Sequence, residues 1–291
     1  GRGVWAGGSA ASGGSNIIDY VTIASAADAA DFGDLSTGRE MGGGAGASNG
    51  PRGVFAGGGP AIATIEYITF ASTGNVTDFG DLQVVKDAGP AGVSNGTRGC
   101  FGGGNTSGSA RSDVIEYITI ASAGDATDFG DLAAAAADPG SCSSETRGLF
   151  TGGRLAGASY DDSIQYINIA STGDTTDFGD LSEASQAGAA CSNGTIGIIG
   201  GGYNPSSADF NRINAVVIAS TGNSTDFGDL SAGRSNKGAC SDGTKAVFGG
   251  GIEGSTKIDT IEYVNIASTG DVTDFGDLTD ARYHMSSMSG D

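Results

Sequence analysis

The sequence has little positive charge. Of its 291 residues, 14 are Lys or Arg and 34 are Asp or Glu, which gives a formal net charge of -20. Proteins that bind nucleic acids usually carry a basic surface that neutralises phosphates. We therefore expect no nucleic-acid partner and no attraction to anionic membrane surfaces.

Long apolar runs are also missing. No segment approaches the roughly 18 apolar residues of a membrane-spanning helix, and no charged start followed by an apolar core marks a signal peptide. We expect a soluble protein without membrane insertion. The first residue is Gly1, which suggests a processed chain or a segment of something longer. Five prolines beside 54 glycines exclude collagen.

The pentapeptide DFGDL, by contrast, recurs along the whole chain. Its copies begin at Asp31, Asp78, Asp128, Asp177, Asp226 and Asp274. The intervals are 47, 50, 49, 49 and 48 residues. Self-similarity at a period of about 20 to 50 residues indicates a solenoid, a propeller or another array. Each unit contains four short β-branched and aromatic segments separated by turn residues, a pattern typical of strands.

Four strands in a unit of this length favour a propeller blade over a sandwich or barrel. The sequence therefore predicts an all-β, six-bladed β-propeller of four-stranded antiparallel blades, with residues 1–291 as a single domain. The last segment, 287–291, matches only the first strand of a repeat, and the chain starts at the second strand. We expect this C-terminal strand to pair with the three N-terminal strands, which removes exposed sheet edges.

Three of the four cysteines, Cys142, Cys191 and Cys240, occupy the same position in successive repeats. The other repeats carry Ala, Val or Met at this position, and Cys100 stands where other repeats have Val. Cysteine behaves as a small hydrophobe in such positions, so we expect all four to be buried. Metal or redox chemistry, the alternative, would require CxxC-type spacing.

The repeats resemble kelch repeats, the propeller family that includes the central domain of galactose oxidase. The matching elements are a strand that ends in Gly-Gly, a following Glu-Tyr pair, an aromatic residue near the fourth strand and an arginine that enters the next blade. Examples are Gly57-Gly58, Glu66-Tyr67, Phe79 and Arg39. The aromatic residue is Phe in all six blades, where kelch repeats usually have Trp. The segments from IEY to DFGDL also look like kelch-like repeats in structural or fibre proteins of marine bacteriophages.

The repeated aspartates could be interpreted as metal ligands. Side chains three positions apart on a strand point to opposite faces, and the motif lacks the alternating ligands of a calcium loop. A kinase-type DFG would need HRD and VAIK segments, which are absent. We expect structural roles, as an Asx-type turn or backbone cap with Gly supplying a bulge, and calcium binding is the alternative. The repeated pair comprises Asp31, Asp34, Asp78, Asp81, Asp128, Asp131, Asp177, Asp180, Asp226, Asp229, Asp274 and Asp277.

A second repeated pattern predicts cross-strand ion pairs. Arginines such as Arg98 begin the second strand, and acids such as Glu116 lie on the third strand. A hairpin centred on the intervening loop would place the two side chains opposite each other.

The loops that join strands two to three and four to one share one face of a meander, and these loops vary between repeats. Functional residues concentrate in loops on a rigid scaffold, so we expect any recognition surface on this varied face. Aromatic, Asn, Asp and Arg side chains suit sugars and protein hot spots. The candidate ligand-binding residues are Tyr160, Asp161, Tyr203, Asn204, Phe210, Asn211, Arg212, Arg39, Arg234, Arg282 and Tyr283.

Catalysis finds little support in the sequence. The resemblance to galactose oxidase implies copper with His and Tyr ligands, but His284 is the only histidine. No nucleophile with a base and no paired carboxylates can be recognised. We predict a non-catalytic module without cofactor or metal, extracellular or at a virion surface, whose partners are virion or cell-surface proteins and glycans. It could form a homo-oligomer within a larger assembly. The alternatives are a purely architectural virion subunit without a ligand and a galactose-oxidase-like or glycan-processing enzyme.

Overall fold

The computed structural model describes residues 1–11, 13–42, 46–87, 89–108 and 110–290. Six four-stranded antiparallel sheets form the blades of a propeller. The inner strands of neighbouring blades contact each other in a closed ring that runs from blade one through blade six and back. The predicted six-bladed all-β architecture is therefore confirmed.

The strands of each blade are given from the axis outward. Blades one and two contain Ser286–Gly290, Arg2–Ala6, Ile17–Thr22 and Ala30–Asp34, then Gly46–Ser48, Arg52–Ala56, Ile62–Thr69 and Thr77–Lys86. Blades three and four contain Ala91–Ser94, Arg98–Gly102, Val114–Thr119 and Thr127–Asp131, then Gly140–Ser143, Arg147–Arg154, Tyr160–Asn168 and Thr176–Asp180. Blades five and six contain Ala189–Ser192, Ile196–Asn204, Ala208–Val217 and Thr225–Asp229, then Gly238–Ser241, Lys245–Gly249, Thr260–Asn265 and Thr273–Asp277.

Small elements decorate the loops between second and third strands. They are the hairpins Ser9–Ala10 with Gly13–Gly14 and Ile252–Glu253 with Thr256–Lys257, and the 3-10 turn Ala156–Ala158. No helix among the described residues is long and apolar enough to cross a membrane.

The two ends of the chain meet in blade one. The last strand pairs antiparallel with the first, with Val4 opposite Met288, as the incomplete final repeat predicts. Three residues of predicted segments, Ser12 and Ser109 in the varied loops and Asp291 at the C-terminal strand, lie outside the described residues.

A ring of serines lines the channel along the axis. Each inner strand carries one at the same position. Three of the hydroxyl groups donate to a carbonyl of the preceding blade: Ser48 Oγ to Ser289 at 2.8 Å, Ser94 Oγ to Ser48 at 2.9 Å and Ser192 Oγ to Ser143 at 2.5 Å. They border a cavity of about 130 Å³. The ring members are Ser48, Ser94, Ser143, Ser192, Ser241 and Ser289.

The hydrophobic core lies between adjacent blades. The Phe and Leu of the repeated motif anchor each outer strand, and Phe129 and Leu132 are 2% and 5% exposed. The cysteines are buried and free, as predicted. Burial raises the pKa of the Cys142 thiol to about 12, so this side chain stays protonated and unreactive at neutral pH.

A β-bulge explains the glycine of the repeated motif. Glu116 pairs with Asp128 and Ile115 pairs with Gly130, so Phe129 is an extra residue on the outer strand. Gly130 has φ +147°, and a Cβ at this position would lie 2.5 Å from backbone atoms of Gly173 in the next blade. The same register shift occurs in every blade, as predicted from the sequence.

Neighbouring outer strands are joined by a capping side chain. The Asp131 amide donates to Asp174 Oδ1 of the next blade at 3.0 Å, and the Gly173 amide donates to the Phe129 carbonyl at 2.7 Å. Equivalent side-chain bonds to Asp or Asn join all six blades. The variable Asp or Asn before the motif therefore makes the cap that the sequence suggested for the invariant pair. Asp128 and Asp131 are exposed.

Five blades carry an aromatic–cation pillar, a cation at the start of the second strand over a tyrosine of the third strand. The Arg147 guanidinium lies 4.5 Å from the Tyr166 ring centroid and donates to the Ile218 carbonyl of blade five at 3.0 Å. The tyrosine meets the motif phenylalanine edge to face, with 6.1 Å between the Tyr166 and Phe178 centroids. The pillars are Arg2–Tyr20, Arg52–Tyr67, Arg98–Tyr117, Arg147–Tyr166 and Lys245–Tyr263.

Candidate functional site

The varied loops meet on one face, around the mouth of the axial channel. In five blades an isolated β-bridge joins the loop after the second strand to the connection that enters an inner strand, so both sets of loops lie on the same side, as the meander predicts. The bridges include Ser9–Tyr283, Glu40–Gly59, Ala137–Arg154, Gln186–Tyr203 and Ser235–Ile252.

Four non-glycine residues at the mouth have left-handed backbone conformations. Asp138, Ala187, Asn236 and His284 have φ between +52° and +58° and occupy the same position before successive inner strands. The His284 amide donates to the Asn236 carbonyl at 2.8 Å, and the Ala187 amide donates to the Asp138 carbonyl at 2.9 Å. This hydrogen-bonded arc offsets the backbone strain and fixes the four side chains around the channel.

A pocket of about 470 Å³ opens at this mouth. Its wall is formed by loops of blades one to four and by the connection from blade six to blade one, so it does not follow the repeat. We call it the channel-mouth pocket. Its polar lining residues are Glu40, Asp87, Asn105, Asp138, Arg154 and His284.

Glu40 and His284 form a hydrogen-bonded contact in this pocket. The two are brought together by the connections that enter blades two and one, and His284 Nδ1 lies 3.2 Å from Glu40 Oε2. The hydrogen bond from His284 lowers the pKa of the Glu40 carboxyl. Tyr283 packs on the imidazole with 4.6 Å between ring centroids. The pair therefore presents a polar, partly exposed edge beside an aromatic ring.

Asp138 is the most buried acid of the pocket, at 6% exposure. Burial raises the pKa of its carboxyl, although Arg154 and His284 lie close enough to oppose the shift. Among the described residues, no hydrogen-bond partner reaches Asp138 Oδ1, Arg154 Nε or Asn105 Oδ1. Buried polar atoms are normally paired, so these unpaired atoms are available to a ligand or water.

Three predicted ligand-binding arginines lie inside the scaffold. Arg39, Arg234 and Arg282 are at most 1% exposed. Arg39 Nη2 lies 2.7 Å from Glu66 Oε2, Arg282 Nη2 lies 2.5 Å from Asp19 Oδ2, and Arg234 pairs with Glu262. Their guanidinium groups tie the connection between two blades to the third strand of the later blade, which leaves them no access to a ligand.

Charge is matched at every one of these junctions. The residue four positions after the motif leucine is a cation at four junctions, where the facing third-strand residue is an acid. At the other two junctions the position of the cation holds Ala136 or Ser185, and the position of the acid holds the amide Gln165 or Asn214. Three of the cation–acid junctions are ion pairs, Arg282–Asp19, Arg39–Glu66 and Arg234–Glu262. At the fourth, Lys86 Nζ donates to Ser112 Oγ at 2.8 Å, and Glu116 acts on it only through electrostatic attraction.

The predicted pairing of Arg98 with Glu116 across the second and third strands is wrong. Arg98 lies opposite Thr119 in the register, whereas Glu116 lies opposite Phe101. Positions three apart on a strand face opposite sides, so Arg98 joins a pillar on the outer side while Glu116 accepts the Gln83 amide at 2.5 Å. The turn of this hairpin is therefore centred at a different residue from the one that the sequence pattern predicts.

The long hairpins of blades four and five carry most of the remaining candidates. Tyr160 and Tyr203 meet edge to face with 6.1 Å between ring centroids, which makes one aromatic patch from two blades. Asp161 accepts the Ser163 amide at 3.1 Å and so secures its own turn. The Asn204 side chain is buried and donates to Glu183 Oε1 at 3.0 Å.

The rest of the blade-five hairpin is more open. Arg212 is 42% exposed and lies 3.4 Å from Glu183 Oε2. Asn211 is exposed, and Phe210 is half-buried opposite Gly202. Tyr283 is the predicted ligand residue that lies beside the channel-mouth pocket, because it packs on His284.

Sequence reasoning did not select Glu40, Asp87, Asn105, Asp138 or Arg154. One signal in the sequence marks them, since they interrupt the repeat at positions where other blades carry unrelated residues. Their convergence depends on the ring closure, which brings loops more than 200 residues apart into one pocket. Among the described residues, no group of three or more His, Cys, Asp or Glu side chains could hold a metal ion.

In comparisons with known proteins, no family model matches the chain and no curated protein matches its sequence.

Proposed function

We propose that the protein is a non-catalytic binding module and that its channel-mouth pocket holds a hydroxyl-rich ligand such as a glycan unit. The observation that carries the proposal is the set of buried, unpaired polar atoms on Asp138, Arg154 and Asn105, which all line this pocket. A bound ligand would supply the missing hydrogen bonds, whose absence costs about 1–3 kcal/mol for each buried group.

Hydroxyl groups suit this lining because each one donates and accepts. Asp138 and Asn105 offer acceptor oxygens, and Arg154 offers a donor, so one polyol can satisfy all three. The three acids of the pocket face one arginine and one histidine, which argues against a ligand of high charge. A volume of about 470 Å³ falls within the usual range for small-ligand sites.

The resemblance to kelch repeats and to structural proteins of marine bacteriophages supports a more specific setting. In this setting the module is a fibre, tail or decoration protein on the outside of a virion, and its varied face contacts glycans or proteins of the host surface. The Tyr160–Tyr203 patch extends the contact surface beyond the pocket. The acidic composition suits a soluble extracellular module and would repel the phosphates of nucleic acids.

The test is a glycan array with the native protein, Asp138→Asn and Arg154→Met. Asn is compatible with the left-handed backbone at position 138, because Asn236 occupies the equivalent position. We expect at least a tenfold loss of affinity for both variants, equivalent to about 1.4 kcal/mol. The control is Asp128→Asn, an exposed substitution on the outer strand that should leave binding unchanged.

Two further variants, Tyr160→Ala and Tyr203→Ala, test whether the aromatic patch takes part. Unaltered glycan binding by both pocket variants would contradict the proposed site. If the native protein binds no glycan and an imaged particle shows the varied face covered by neighbouring subunits, the protein is an architectural subunit instead.

A further inference from the structure

Blade five is the one blade whose described residues form no aromatic–cation pillar. Ile196 stands in place of the second-strand cation and Ala215 in place of the third-strand tyrosine. Val217, 52% exposed, replaces the Thr or Asn that the other blades carry at this position. Three substitutions that turn polar or aromatic positions into aliphatic ones therefore fall side by side on the outer surface of one blade.

These aliphatic residues line a groove of about 350 Å³. Ile196, Ala215, Val217 and the motif phenylalanine Phe227 form one wall, and the groove continues to Ile266 in blade six. The corresponding groove beside blade four has a volume of about 480 Å³ but is lined only by residues of its own blade, which include Arg147 and Tyr166. The pillar closes the passage between two blades, and its loss leaves the passage open. We call this site the blade-five groove.

The sister blades show which chemical groups fill the equivalent space. A ring meets the motif phenylalanine edge to face at 5.8 to 6.1 Å. A cation above that ring donates to a carbonyl of the next blade. In blade five the phenylalanine is Phe227 and the carbonyl is that of Ile266, to which no donor bonds among the described residues. Asp226 also lines the groove, and the protein as a whole is strongly acidic.

We infer that the blade-five groove binds a small aromatic cation, a single ring that carries an ammonium or guanidinium group a few bonds away. The ring packs against Phe227 in the position of the absent tyrosine. The cationic group donates to the Ile266 carbonyl in the position of the absent arginine, beside Asp226. The groove volume lies at the small end of ligand sites, which fits one ring with a short chain. This site is on the side of the blades and is independent of the channel-mouth pocket.

The experiment compares three probes that share size and shape. Tyramine has the ring and the cation, 4-ethylphenol has the ring alone, and 4-hydroxyphenylacetate has the ring with an anion. By titration calorimetry or ligand-observed NMR we expect tyramine to saturate the native protein with a Kd of roughly 1 mM or tighter. It should bind at least about tenfold more tightly than 4-ethylphenol, and 4-hydroxyphenylacetate should bind most weakly.

Two variants decide where tyramine binds. Ile196→Arg with Ala215→Tyr rebuilds the pillar of the sister blades, so this protein should fold and lose tyramine binding. Arg147→Ile with Tyr166→Ala removes the pillar of blade four and should create a second tyramine site. Equal affinities for tyramine and 4-ethylphenol, failure of tyramine to bind the native protein, or undiminished binding by the rebuilt variant would each overturn the inference.

Discussion

The outer rim of this propeller, formed by the fourth strands, repeats the same side chains in every blade, whereas the channel mouth does not. On the rim, the bulge at Gly130, the cap from Asp174 and the anchor Phe129 recur in every blade with nearly the same geometry. At the mouth, Asp138, Ala187, Asn236 and His284 share a backbone conformation but no side-chain chemistry. Residues that recur in every blade therefore hold the blades together. Residues that differ between blades, although their backbone conformation is the same, can contact a ligand.

The difference has a simple physical origin. The six interfaces between blades bury similar apolar cores, so similar side chains pack at the same positions in all six. The mouth exists once, where loops of all blades meet on the axis, and no repeated contact constrains its side chains. Substitutions on the two regions should consequently differ in their effect on the free energy of unfolding.

The largest effect is expected at a buried junction. Arg282→Met leaves Asp19 as an unpaired buried charge and should lower the free energy of unfolding by about 3–5 kcal/mol. Arg282→Ala combined with Asp19→Gln copies the neutral Ala136–Gln165 junction and should recover most of this loss. Chemical denaturation of both variants measures these two changes in the free energy of unfolding. A double variant no more stable than Arg282→Met would refute the idea that the junctions need matched charge.

The bulge glycine should be the next most sensitive position. Gly130→Ala combines a φ of +147° with a Cβ 2.5 Å from the Gly173 backbone, and should cost about 2–4 kcal/mol. Gly124→Ala is the matched control, because its φ is +157° but the added Cβ meets no atom within 4 Å. Thermal unfolding should separate the two. Equal losses would show that backbone strain alone, without interblade contact, explains the repeated glycine.

Lys86 should give the scaffold a distinctive pH dependence. Burial lowers the pKa of its ammonium group from 10.5 to about 8. At this position the unfolded chain therefore binds more protons between pH 8 and 10.5, so the contribution of Lys86 makes the free energy of unfolding rise with pH in that window. The slope is at most about 1.4 kcal/mol per pH unit. Lys86→Met should lack this rise in matched pH series, and parallel curves for the two proteins would contradict it.

A smaller difference is expected between two exposed aspartates of the rim. Asp174→Ala removes the acceptor of the Asp131 amide and should cost about 0.5–1.5 kcal/mol. Asp131→Ala removes no described side-chain bond and should change stability by less than about 0.5 kcal/mol. Their melting temperatures form the test. A greater loss for Asp131→Ala would restore the capping role that the sequence suggested for the invariant pair.

The smallest effect should come from the mouth. Asp138→Gly relieves a left-handed backbone at φ +52° and removes a buried carboxyl, so it should leave the protein unchanged or more stable by up to about 1 kcal/mol. Denaturant titration measures this change. A loss comparable to that of Gly130→Ala would place Asp138 in the scaffold and remove the contrast between mouth and rim.

The sequence was sufficient for the architecture because the period, the strand pattern and the incomplete last repeat all point to one closed propeller. The same repetition located the bulge at Gly130 and the buried cysteines. It failed where partners come from different blades, since no pattern within one repeat shows that Arg39 meets Glu66 or that Asp174 caps Asp131. The pocket was out of reach for the same reason, because Glu40 and His284 become neighbours only when the ring closes.

The matched junctions also bear on how the chain avoids misassembly. Six nearly identical repeats invite a blade to dock against the wrong neighbour during folding, a characteristic failure of repeat proteins. Docking the connection that carries Arg234 onto the third strand that carries Gln165 would bury a charge without a counterion, at a cost of several kcal/mol. The two adjacent neutral junctions therefore differ from the four charged ones, and this difference favours the correct order of blades because some wrong arrangements would bury a charge without an opposite charge.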